Sequence, residues 1–182
     1  MEQQETNNQS TLPKLSRRLF FQESMNAGAK IGLVFVLQAL SLLLFASGLI
    51  GSLIYLASFV AIPILLVVYA NRHRDQYHGG EIRYIQAVNF MLWTYLFANL
   101  ISAVTYFVVF YFLFQSPSFA QAIDQSANMT MILFKDDPEV KNQLLLSISQ
   151  LTPRSMTVQM TSFSLFLGMI YIYIAAIFVK RP

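Results

Sequence analysis

Three stretches of this chain contain no Asp, Glu, Lys, Arg or His: residues 31–71, 84–123 and 155–179. A helix needs only about 20 mostly apolar residues to cross the hydrocarbon of a bilayer, whereas a water-soluble fold has no reason to withhold charge for so long. The first run is too long for one crossing, because a straight helix of that length would reach about 60 Å, twice the hydrocarbon thickness. It must turn back and supply two spans, and the other runs supply one each. Composition points the same way: 55% of residues are apolar and 12% charged, against about 25% charged in soluble domains. The expected fold class is all-α, a polytopic membrane protein with four transmembrane helices.

Changes of pattern divide the chain further. Residues 1–13 are too polar to bury a core and read as a disordered tail; residues 14–182 form the membrane domain. Its spans are expected at 26–46, 53–70, 85–114 and 157–179, with an outer loop at 115–156. Leu15 and Leu19, one turn apart among Lys14, Arg17 and Arg18, fit either a short headgroup helix or the basic flank of the first span. A cleaved signal peptide is not expected, because the apolar region starts late and Glu2, Glu5 and Glu23 precede or flank it. Gly48 and Gly51 in "SGLIGS" permit the first hairpin turn, and Pro63 predicts a kink in the second span.

The outer loop carries its own helix signal. In "DDPEVKNQLLLSISQLTP", Asp136 or Asp137 can cap free amides, Pro138 suits a first turn, and Glu139 complements the helix dipole. Val140, Leu144, Ile148 and Leu151 then recur at helical spacing. This amphipathic helix should lie on the membrane, on its own bundle or on a partner. A second short helix is expected near 118–127.

Orientation follows from the basic residues. An inside amino terminus places Lys14, Arg17, Arg18, Lys30, Arg72, Arg74, Arg83, Lys180 and Arg181 in the cytoplasm and leaves Lys135, Lys141 and Arg154 outside, nine against three. That distribution obeys the positive-inside rule, so both ends are expected inside and the charged knot "RHRDQYHGGEIRY", 72–84, locks its loop in the cytoplasm. The same scatter of basic groups beside apolar runs argues against nucleic acid as a partner.

Chemistry is sparse. The spans lack the intramembrane acids and bases that mark ion-coupled transport, apart from Lys30 at the mouth of the first. Gln38, Asn89, Asn99 and Gln159 are the strongest polar side chains in or near the spans, and they serve either as interhelical hydrogen bonds or as the lining of a polar path. Small residues four apart, Gly28 and Gly32, Ala57 and Ala61, Ala98 and Ser102, Ser164 and Gly168, mark candidate helix contacts. His73, Asp75, His78 and Glu81 include metal-ligating types, but a solvated charged hairpin accounts for them and no metal is expected. Cysteine is absent, and no phosphate loop, nucleophile elbow or paired-histidine motif appears. No catalytic residue and no cofactor are expected.

"GAKIGLVF" leading into a paired span, "RHRDQYHGGEIRYIQAVNF" entering a long third span, a "DDPE" segment in the outer loop and a last span ending "VKRP" together resemble the bacterial membrane family known as domain of unknown function 4199. Tyr77, Gly79 and Gly80 are the most telling positions. The tail before Lys14 and Gln86, where glycine is frequent, depart from the pattern. The resemblance implies four spans and an inner-membrane location, and no substrate.

The expectation is therefore a non-enzymatic accessory or scaffold subunit that touches a partner through its outer helix. Membrane lipids surround it, and the partner would be another membrane or periplasmic protein or a second copy of the chain. The alternative is a small oligomeric transporter or channel lined by the intramembrane amides.

Overall fold

The computed structural model describes residues 17–47, 49–133 and 138–180. It is helical, with no strand among the described residues. The elements are α1 (Arg17–Ser41), a 3₁₀ segment (Leu42–Ser47), α2 (Leu49–Tyr77), α3 (Tyr84–Leu113), α4 (Pro117–Leu133), α5 (Pro138–Ser149) and α6 (Pro153–Val179). Four helices, α1 with the start of the 3₁₀ segment, α2, α3 and α6, are long and apolar enough to cross a membrane.

These helices are apolar around their whole circumference, so small residues decide which face turns inward. On α1 the inward stripe is Ala27, Gly28, Ile31, Gly32 and Phe35. Gly28 lies against Thr94, Phe97 and Ala98 of α3, and Gly32 lies against Ile101. Numbers rise together along both helices, so α1 and α3 run parallel. On α6, Gly168 receives the ring of Tyr95, while Tyr84 of α3 donates to the carbonyl of Tyr173 at 3.2 Å. Here numbers rise in opposite senses, so α3 and α6 are antiparallel. The bundle alternates in direction, and Arg17 of α1 and Val179 of α6 lie at the same end.

The main core, including Ile31, Leu66, Met91, Ala98, Ile172 and Ala176, fills the bundle towards that end. A smaller cluster of Ala39, Tyr106, Val109 and Phe110 closes the other. Of the small-residue pairs, Ala98 and Ser102 are buried, whereas Ala57 is exposed and α2 turns Ser58, Ile62 and Leu66 inward instead.

Several boundaries differ from the sequence reading. α1 begins at Arg17, so Leu19 belongs to the first long helix and no separate headgroup helix breaks there; Leu15 and the 1–13 tail lie outside the described residues. α2 continues past 70 to Tyr77, because a backbone ladder leaves the apolar layer without losing its hydrogen bonds once the side chains are polar. The charged knot is thus half helix, and its turn shrinks to the few residues around Gly79 (φ 64°) and Gly80 (φ 91°), both in the left-handed region that glycine allows. The first reversal falls between the 3₁₀ segment, which ends at Ser47, and α2, which starts at Leu49; Gly48 lies outside the described residues, and Gly51 and Ser52 already belong to α2. Pro63 lies inside α2 without ending it.

α6 starts at Pro153, four residues before the expected 157. The cause is a cap the sequence reading missed in "TPRS": the Ser155 amide donates to Thr152 Oγ1 at 3.1 Å, and the Thr152 amide donates to Ser155 Oγ at 2.9 Å. This reciprocal pair satisfies two amides that the helix leaves open, with Pro153 in the first turn where no amide is needed.

Candidate functional site

The segment between α3 and α6 folds as two helices. α4 is longer than the expected 118–127, and α5 starts at Pro138. They pack chiefly on each other, and the root of α4 meets the bundle through Phe119, whose ring lies 5.2 Å from that of Phe114. Met129, Ile132 and Leu146 are 69%, 74% and 61% exposed. Of the expected stripe, Ile148 and Leu151 are half-buried; the side chains of Val140 and Leu144, and the Asp136 and Asp137 caps, lie outside the described residues.

The four amides do not share one surface. Gln38 and Asn99 are buried in the bundle, while Asn89 and Gln159 point outward near opposite ends of it. In the interior, Gln38 joins Tyr55, Tyr95, Tyr106, Ser164 and Tyr171 around a cavity of about 30 Å³. That volume admits about one water. Gln38 Oε1 and Asn99 Oδ1 are buried without a protein partner, and the Tyr95 hydroxyl is anchored on Ser164, 2.7 Å from its carbonyl and 2.8 Å from its Oγ.

The richest constellation is at the charged end. Arg74, only 6% exposed, donates from Nη1 to the Val179 carbonyl at 3.0 Å and from Nε to the Asp75 carboxylate at 2.8 Å. It thus places a cation on the carbonyl end of α6, where the helix dipole is negative, and ties α2 to α6. Replacing Arg74 with Ala should lower stability by about 1–3 kcal/mol, since a charge-assisted bond is lost and a carbonyl end is uncovered. Arg74→Lys should recover only part of this, because an ammonium cannot reproduce the guanidinium fork. The check is the SDS concentration at half-unfolding for each purified variant.

Beside Arg74, the His73 ring stacks on Phe90 with centroids 4.0 Å apart and an interplanar angle of 7°. Phe20 meets the same ring edge-on at 6.0 Å. Burial lowers the pKa of His78, which lies in the turn. No three His, Asp or Glu side chains converge on a metal-sized site among the described residues.

Between α1 and α2 this end opens a polar groove of about 640 Å³, lined by Glu23, Asn26, Lys30, Tyr69, Arg72, His73, Gln76, Tyr77 and Phe90. Lys30 Nζ sits 5.6 Å from the centre of the Tyr69 ring. The sequence reading missed this groove. Its signal was present: Lys30 and Arg72 bracket the first uncharged run, and the hairpin that folds the run in two must bring its ends to one level.

Four apolar spans around a largely apolar core, with a sizeable polar groove at one mouth, define a multi-pass helical membrane protein. Its lineage is equally definite. The family described as Protein of unknown function (DUF4199) matches residues 26–181, and the chain belongs to that family. No curated protein and no solved structure matches it.

Proposed function

We propose that the protein is a non-enzymatic accessory or scaffold subunit of a bacterial inner membrane, with the Arg17 and Lys180 ends of the bundle in the cytoplasm and α4–α5 outside. The observation that carries the reading is the α4–α5 pair: it is joined to the spans at its root, packs mainly on itself and leaves Met129, Ile132 and Leu146 exposed. Apolar side chains held outside the spans on a short helical arm serve as anchors for a partner surface. The nine-to-three bias of basic residues supports the orientation.

The transport alternative finds less support: the interior cavity near Gln38 is about 30 Å³, and Asn89 and Gln159 are exposed away from it, so the four amides do not line one path.

The test is a photo-crosslinking residue placed in turn at Ile132 and Leu146 in living cells. One defined protein adduct, common to both positions and lost when Met129 is changed to Asp, is the expected result. A second copy of the chain counts as that partner. Adducts to lipid alone, or none, would overturn the scaffold reading.

A further inference from the structure

A groove of about 640 Å³ opens where the α1–α2 hairpin leaves the apolar layer. We propose that this groove binds the headgroup of a membrane phospholipid, Lys30 and Arg72 taking the phosphate while Glu23, His73 and Gln76 take hydrogen-bond donors on the headgroup. The proposal depends on the membrane placement of the spans and is independent of any partner on α4–α5.

Position is the first argument. Above Lys30 on α1 the exposed residues are Leu33, Leu37 and Leu40; above Arg72 on α2 they are Val60, Ile64 and Val68. The two cations end two outward apolar tracks, at the level where hydrocarbon gives way to headgroups. Ile64 and Val68 lie on the α6 side of α2, so the α1 track is the one beside the groove, and a lipid whose acyl chain lies along Leu33, Leu37 and Leu40 presents its phosphate to Lys30 and Arg72, which favours a lipid over free phosphate.

The groove is also built for a ligand. At about 640 Å³ it falls within the range of small-molecule sites. His73 at its floor is 3% exposed, is held flat by Phe90, and keeps a buried Nδ1 with no protein partner. Lys30 is positioned over Tyr69, a cation–π contact that orients the ammonium without using its donors. Lys30 and Arg72 carry two positive charges and Glu23 one negative, so the lining balances the single negative charge of a phosphodiester. Glu23 gives the groove a preference as well: it repels a bare second anion and accepts from a hydroxyl or an ammonium.

The experiment titrates the delipidated full chain with phosphatidylglycerol, phosphatidylethanolamine and phosphatidylcholine and counts bound lipids by native mass spectrometry. A one-to-one adduct with a donor-bearing lipid is expected, weaker with phosphatidylcholine, whose headgroup has no donor. Lys30→Gln with Arg72→Gln should reduce it at least about tenfold, while Arg154→Gln at the far end leaves it intact. Displacement of the lipid by soluble glycerol phosphate would assign the groove to a free phosphate ester and overturn the lipid proposal, as would equal retention of all three lipids or an unchanged adduct in the double variant. Should the double variant fail to fold, a photoactivatable phospholipid on the unaltered protein decides: labelling of Glu23 to Lys30 and Tyr69 to Tyr77 is expected, and labelling confined to other segments refutes the site.

Discussion

Replacing Gly28 with alanine should loosen the α1–α3 seam and destabilise the protein by about 1–3 kcal/mol, the range for forcing extra volume into a well-packed contact. A Cβ at position 28 would stand 2.7 Å from the Thr94 carbonyl oxygen, 2.7 Å from Phe97 Cβ and 3.3 Å from the Ala98 amide nitrogen. Those atoms belong to the α3 backbone or stand directly on it, so no rotamer change relieves the contact and the two helices must separate. Gly32→Ala is the internal comparison. Its added carbon meets the Ile101 Cδ1 atom at 2.7 Å, the end of a side chain that can turn away, so the effect should be smaller. The single tryptophan makes the measurement direct. Trp93 of α3 lies edge-on to Phe21 of α1, with ring centroids 4.9 Å apart. Its fluorescence during SDS unfolding should report separation of this seam, with the Gly28 variant opening first and the Gly32 variant between it and the unaltered chain. Equal midpoints for all three would contradict close backbone approach as the basis of the seam.

That seam also shows what the sequence could and could not reveal. Hydrocarbon excludes charge, so the uncharged runs located four helices without any knowledge of their packing. The same uniformity hid the packing. When lipid and core are both apolar, Leu33 facing out and Ile31 facing in leave no contrast to read. Small residues carried the remaining signal, correctly for Gly28, Gly32 and Gly168 and misleadingly for Ala57, because a small side chain permits close approach without requiring it. Helix ends failed for a different reason: Arg72 to Tyr77 remain helical beyond the apolar layer, since the backbone needs internal hydrogen bonds in lipid and keeps them here in water. The groove at Lys30 and Arg72 escaped notice because its walls lie some forty residues apart in the chain and meet only once the hairpin closes.

Gly168→Ala should be the other strongly destabilising change, by a route that can be separated experimentally from the first. The new Cβ would fall on the ring of Tyr95. A ring can move where a backbone cannot, but this one is held at three points: its hydroxyl meets the Ser164 carbonyl at 2.7 Å and Ser164 Oγ at 2.8 Å, and Phe35 lies edge-on at 5.8 Å. Moving it breaks both hydroxyl contacts, so about 1–3 kcal/mol should be lost. Tyr95→Phe alone should remove a smaller part of the same energy, since the ring stays and only its tether goes. In the double variant the tether is already absent when the methyl arrives, so the combined loss should fall short of the sum of the single losses. SDS midpoints of the four proteins complete that cycle. Strict additivity would mean that the methyl is accommodated by α6 shifting away from α3, and the Tyr95 anchor would then have no part in holding the two helices at this distance.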